Sequence, residues 1–157
     1  MIWKANRAKS KIARRLIAKD PHQRTDLEAI VRSLTEQIFK APDDAARLKL
    51  MREAWGFRLP MASAVLTVFY PETFTVYDVR VCEQIGGHRH LDHRRFFTSF
   101  WKGYQSYVAA VRSHAPDGLT LRDMDRYLWG KSFAEGLRQG IISGFPKPPA
   151  AGLEDDE

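Results

Sequence analysis

Three groups of side chains in this sequence are of types that do chemistry. The first is a carboxylate, Asp78, set in Val76-Tyr-Asp-Val-Arg80. A carboxylate on a half-buried stretch can orient a water or stabilise a developing positive charge, and an aspartate is equally at home capping a helix. Arg80, two residues on, suits either a local ion pair or a phosphate contact. The second group is Cys82 with His88, His90 and His93. His-x-His and His-x-x-His spacings suit zinc. Yet no second Cys or His cluster accompanies them, and Arg89, Arg94 and Arg95 surround them behind Gly86-Gly87. An exposed basic loop fits this pattern better, so no metal and no cofactor are expected. The third group is an aromatic ladder: Phe96, Phe97, Phe100, Trp101, Tyr104 and Tyr107. It could offer a platform to bases, although an aromatic stripe at helical spacing is ordinarily core. Trp101 and Tyr104 are the members expected to be partly exposed.

Charge narrows the partners. The 157 residues carry 25 Lys and Arg against 19 Asp and Glu, a net of +6. The last four residues are all acidic, so residues 1–153 hold 25 basic residues against 15 acids, a net of +10. Such an excess attracts polyanions, double-stranded DNA first, by releasing condensed counterions. An acidic protein partner is the alternative. Residues 1–19 hold seven basic side chains and no acid, and phosphate contacts are expected there from Lys4, Arg7, Lys11, Arg14 and Arg15. The longest apolar run, Met61 to Tyr70, has ten residues including Ser63 and Thr67, about half of what a bilayer span requires. Trp3, Ile12, Leu16 and Ile17 make too small an apolar face for a membrane-surface helix, so no membrane is expected. The basic N-terminus lacks an apolar h-region, and the single cysteine permits no internal disulfide. Both point to the cytoplasm.

The elements that must position these residues read as helices. Asp20-Pro21 stops the first, residues 1–19, because the residue before proline resists the α region. Thr25 and Glu28 form a capping box for a second helix, which carries Leu27, Ile30, Val31, Leu34 and Ile38 to about Lys40. Pro42-Asp43-Asp44 opens a third, Ala45 to Trp55. Residues 64–81 admit two readings. Their β-branched and aromatic content favours a β-hairpin; alternatively Pro60–Tyr70 and Val76–Gly86 are helices, with Pro60 in a first turn and glycine closing the second. Leu91 to about His114 reads as one long amphipathic helix, and Thr120-Leu-Arg-Asp123 caps another carrying Met124, Tyr127, Leu128 and Trp129. The expectation is an all-α chain: one compact multi-helix domain over residues 1–144, and a disordered Pro-rich, acidic tail over 145–157.

The stretch Trp55-Gly-Phe-Arg-Leu-Pro-Met-Ala-Ser-Ala-Val-Leu66, followed by Tyr77-Asp-Val-Arg-Val81 and Ile85-Gly86, resembles the helix-hairpin-helix DNA glycosylase superfamily. That family's hairpin reads Leu-Pro-Gly-Val-Gly-x-Lys-Thr-Ala, with Val-Asp-Thr-His-Val beginning about sixteen residues beyond the alanine. Ala62 and Asp78 are sixteen apart here. Leu121-Arg-Asp-Met-Asp-Arg-Tyr-Leu-Trp129 is similar to a segment of divergent relatives. The resemblance implies a shortened glycosylase-like fold whose core hairpin, residues 55–86, holds DNA through Gly56, Phe57 and Arg58, with Arg80 nearby. It also implies that free amides at the second helix's N-terminus hold a phosphate. Asp78 would then be the catalytic residue of a hydrolytic base-excision glycosylase. Two departures limit what carries over. Arg58 replaces the second hairpin glycine, and Pro60 stands where a bifunctional glycosylase has its lysine, so no Schiff-base lyase is expected. A non-enzymatic interaction or regulatory module, its basic face meeting an acidic protein, is the reading from a different class.

Overall fold

The computed structural model describes residues 9–144, which contain seven α-helices and no strand. Helix α1 (Lys9–Lys19) buries Leu16 and stops at Asp20. There the Asp20 carboxylate turns back onto Arg24, whose backbone N–H, Nε and Nη2 donate to it at 2.8, 3.0 and 2.6 Å. Helix α2 (Leu27–Lys40) buries Ile30, Leu34 and Ile38. Its cap is Asp26, which accepts from the Glu28 N–H at 3.1 Å. The expected cap at Thr25 is displaced by one residue, because a carboxylate stands one place nearer the helix. Helix α3 (Asp44–Lys49) is capped by Asp43, which accepts from the Ala46 N–H at 2.7 Å. It does not run on regularly to Trp55: from Leu50 to Ala54 it widens into a π turn, with the Trp55 N–H reaching the Leu50 carbonyl at 3.1 Å. The widening puts the Trp55 ring in the core, its indole N–H on Gln37 Oε1 at 3.3 Å.

Helix α4 (Leu59–Phe69) carries Pro60 in its first turn and is buried without a break from Ala62 to Thr67. This settles residues 64–81 against the β-hairpin. A buried segment must satisfy its backbone, and a helix does so internally whereas a strand would need a partner. Helix α5 (Val79–Ile85) starts three residues later than the sequence suggests, since Phe74–Tyr77 is buried and belongs to no helix. Helix α6 (Phe97–His114) likewise starts late: Leu91–His93 forms a separate 3-10 turn that buries Leu91. Helix α7 (Leu121–Ser143) is capped by Thr120, whose hydroxyl accepts from the Asp123 N–H at 3.2 Å and donates to the Asp123 carboxylate at 2.7 Å. At 23 residues it is about 34 Å long. One buried cluster draws side chains from all seven helices, from Leu16 to Leu128. The tail over 145–157 lies outside the described residues.

This stretch makes no ladder and no helix, so side chains satisfy its backbone. Ser63 Oγ accepts from the Tyr77 N–H at 2.9 Å. The Tyr104 hydroxyl accepts from the Thr75 N–H at 3.1 Å and donates to the Thr75 carbonyl at 2.6 Å. Tyr107 donates to the Val76 carbonyl at 2.8 Å. Tyr104 is therefore 1% exposed, not partly exposed as its place in the ladder suggests, while Trp101 is half-buried. The Thr75 hydroxyl, in contrast, is buried with no hydrogen-bond partner.

Two predictions follow from this packing. Tyr104→Phe, which strands the Thr75 N–H and carbonyl, is expected to lower unfolding free energy in urea by about 2 kcal/mol. Thr75→Val should leave stability unchanged or raise it by up to about 1 kcal/mol; a large loss in Thr75→Val would show that its hydroxyl is engaged after all. The Arg24 guanidinium holds the Asp20 carboxyl down to about 2 against an ordinary 3.8. A depressed folded-state value means that the contribution is complete above about pH 4 and is lost as pH falls toward 2. Arg24→Ala is expected to flatten the stability profile in that window.

Candidate functional site

Asp78 sits where the buried non-helical stretch, Phe74–Tyr77, turns into α5. It is the N-cap of that helix, accepting from the Arg80 N–H at 3.0 Å, and it lines a cavity of about 480 Å³. One wall is apolar: Ala64, Thr67 and Val68 of α4, with Val76. The opposite wall is α7, which contributes Arg122, Asp125, Arg126 and Trp129. Those four positions are spaced by three, one and three, which places them on a single helix face. Trp129 stacks on Phe133 with centroids 5.4 Å apart and planes 6° apart. The Arg80 guanidinium lies over both rings at 6.0 and 5.7 Å, so Arg80 supports the aromatic edge of the cavity. Arg126 is also paired with Asp123 at 3.2 Å. Two carboxylates, two arginines and a flat aromatic face therefore meet at one apolar-backed opening.

The hairpin residues lie in the turn that precedes α4. The chain from α3 through its π turn into α4 is a helix-turn-helix with the turn at 55–58. Gly56 adopts φ +67°, which a side chain would strain, and its carbonyl accepts from Arg15 Nη1 at 2.9 Å. Two of the predicted contact residues are thus brought together across 41 positions. Phe57 is a core residue, 2% exposed, with its N–H on the Met51 carbonyl at 2.9 Å; it braces the turn and presents no ring to a ligand. Arg58 is exposed, and its Nε donates to Asp92 at 2.5 Å.

The other oxygen of Asp92 accepts from the Leu59 N–H at 2.8 Å. Pro60 has no N–H, and the N–H groups of Met61 and Ala62 both reach the Arg58 carbonyl at 3.0 Å. The first-turn amides expected to face a phosphate are therefore all engaged, the leading one by a carboxylate of the same chain. Neither Gly56 nor Arg58 lines the Asp78 cavity. Lys11 and Arg14 are exposed on α1; Lys4 and Arg7 lie outside the described residues.

Cys82 is buried, and desolvation pushes its thiol up to about 11. Burial also raises the Tyr77 phenol, which donates to the His88 carbonyl at 2.6 Å. His90 and His93 are exposed with rings 6.4 Å apart. Among the described residues no three His, Cys, Asp or Glu side chains converge to hold a metal, and no helix is long and apolar enough to cross a membrane.

Sequence reasoning on single residues passes over Arg122, Asp125, Arg126 and Trp129, although their helical spacing carries the signal. Asp92 has no such signal, because its partners lie 33 and 34 positions away. Comparison with family models, with curated proteins and with solved structures finds nothing that matches this chain.

The buried, protonated thiol generates a prediction. At pH 8 the native protein should react with a disulfide reagent at least about a hundredfold more slowly than the urea-unfolded chain. Comparable rates would show Cys82 to be an accessible thiolate.

Proposed function

We propose that this protein binds nucleic acid through its basic surface and admits one nucleotide of the bound strand to the cavity beside Asp78. This is the arrangement implied by the likeness of residues 55–86 to the helix-hairpin-helix glycosylases. The observation that supports it is the company Asp78 keeps: Arg122, Arg126 and Trp129 share its cavity of about 480 Å³, a volume within the range of small-ligand sites. An indole offers a face to a base, guanidinium groups suit phosphate oxygens, and extruding a nucleotide costs a few kcal/mol that such contacts offset.

In the enzymatic form of this reading, Asp78 positions a water against C1′ of the sugar and takes its proton. The N-glycosidic bond breaks with its electron pair leaving on the base, and the carboxylate stabilises the cationic sugar in between. Pro60 stands where a lyase would need an amine, so the reaction stops at hydrolysis.

One observation favours the other class, a non-enzymatic module that meets an acidic protein. The backbone grip at the start of α4 is already filled by Asp92. Salt separates the two readings, because duplex affinity resting on phosphate contacts falls steeply between about 50 and 200 mM. Asp78→Asn is expected to abolish base release from a damaged duplex while DNA affinity changes by less than about twofold, and borohydride should trap no adduct. Full activity in Asp78→Asn removes that carboxylate from the mechanism, and absence of duplex binding at low salt leaves the protein-partner reading.

A further inference from the structure

We infer that the loop between α5 and α6, residues 88–96, is a strand-gripping surface for unpaired nucleic acid, clipped in place against the hairpin turn by Asp92. The inference rests on the nucleic-acid reading above and gives it a contact surface outside the Asp78 cavity.

The loop is held far more firmly than its composition suggests. Gly86, Gly87 and His88 take φ of +70°, +68° and +60°, reversing the chain sharply as it leaves α5. His88 is kept in that conformation by the Tyr77 hydroxyl on its carbonyl at 2.6 Å, with its ring nitrogens against the Gly86 carbonyl and Ser106 Oγ at 3.0 and 3.3 Å. Leu91 is buried, and α6 accepts it closely because position 103 is glycine. A Cβ there would stand 2.4 Å from Leu91 Cδ2 and 2.9 Å from Arg94 Nη1. Arg52 Nη2 donates to the Arg94 carbonyl at 2.6 Å, and Arg94 Nη1 to the Ser99 carbonyl at 2.7 Å. Asp92 completes the attachment through Arg58 and the Leu59 N–H.

The consequence is a sorted distribution of charge. Asp92 is the one acid between residues 86 and 96; its side chain is 9% exposed and spent on the hairpin. Arg89 is paired with Glu83, and Arg94 is used within the loop. The side chains left facing outward are His90, His93 and Arg95, beside the exposed Arg58 that Asp92 ties to them. At their edge stands Phe96, 74% exposed, more than any other aromatic among the described residues. Arg95 and Arg58 alone would suit any polyanion. A bare aromatic ring set among them suits bases that are not already stacked in a duplex: a single strand, or the strand flanking an extruded nucleotide.

The test is fluorescence anisotropy with a labelled oligothymidylate and with a duplex of the same length. For this the wild-type chain is compared with Arg95→Ala, Phe96→Ala and Asp92→Ala, each checked for folding by thermal melting. Phe96→Ala is expected to weaken single-strand binding at least about fivefold and duplex binding much less. Arg95→Ala should reduce the slope of log affinity against log salt by about 0.7 on the single strand.

Asp92→Ala removes a negative charge, yet it should weaken single-strand binding at least about threefold, because the loop leaves the hairpin. Tighter binding in Asp92→Ala overturns the assignment; if that variant does not fold, the two exposed substitutions decide. Wild-type binding that all three variants share unchanged overturns the loop surface alone. Failure of the wild type to bind either oligonucleotide overturns the nucleic-acid reading itself. Displacement of the oligonucleotide by polyglutamate at equal charge, with Phe96→Ala neutral, makes the surface one for acidic protein and overturns it as well.

Discussion

Three hydroxyl groups hold a piece of backbone that belongs to no helix. From Thr75 to Tyr77 the chain is buried and non-helical, and the oxygens of Ser63, Tyr104 and Tyr107 satisfy its backbone. A buried amide left without a partner costs roughly 1–3 kcal/mol, so these bonds fix where the stretch lies between α4 and α6. Its end determines where Asp78 begins α5, and hence which cavity that carboxylate faces. The tyrosines suit the task. Desolvation raises both phenols above their ordinary range, so they remain donors at any physiological pH. Their rings stack at 6.1 Å, and Phe74 stacks on Tyr104 at 5.8 Å. The aromatic stripe of α6 is thus core packing and backbone support at once.

What could be read from the chain was local chemistry. Asp43 and Thr120 announce α3 and α7 because caps act within three residues, and Ile30, Leu34 and Ile38 announce the buried face of α2 because burial follows helical period. Residues 64–81 resisted because their β-branched content and their burial point in opposite directions, and burial decides when no strand partner exists. The late starts of α5 and α6 depend on tertiary contacts: hydroxyls from other helices hold Thr75–Tyr77 out of α5, and Leu91 docks at Gly103 ahead of α6. The site divides the same way. Asp78 was visible as a carboxylate in a suggestive setting; the α7 wall opposite it was present only as a spacing, and the Asp92 clip not at all.

At the turn before α4 the chain's own groups occupy the positions that a ligand would use. Two helices still meet at a tight turn with Gly56 at positive φ. Where an amide cradle would face a phosphate, however, the chain supplies its own anion. Arg58, at the end of the same turn, is the residue that pairs with that anion. On the proposed reading, affinity for a polyanion comes from side chains, which this chain carries in excess, and specificity from the cavity that Asp78 and α7 line.

That division of labour is tested most directly by nuclear magnetic resonance. Isotope-labelled protein is titrated with a short duplex carrying a stable abasic-site analogue, following the Trp129 indole N–H and the backbone amides from Arg122 to Trp129. Saturable shifts of these signals, complete near one equivalent of duplex, are the predicted result. Stationary signals along that face of α7, with changes confined to α1, would contradict a nucleotide-accepting cavity beside Asp78.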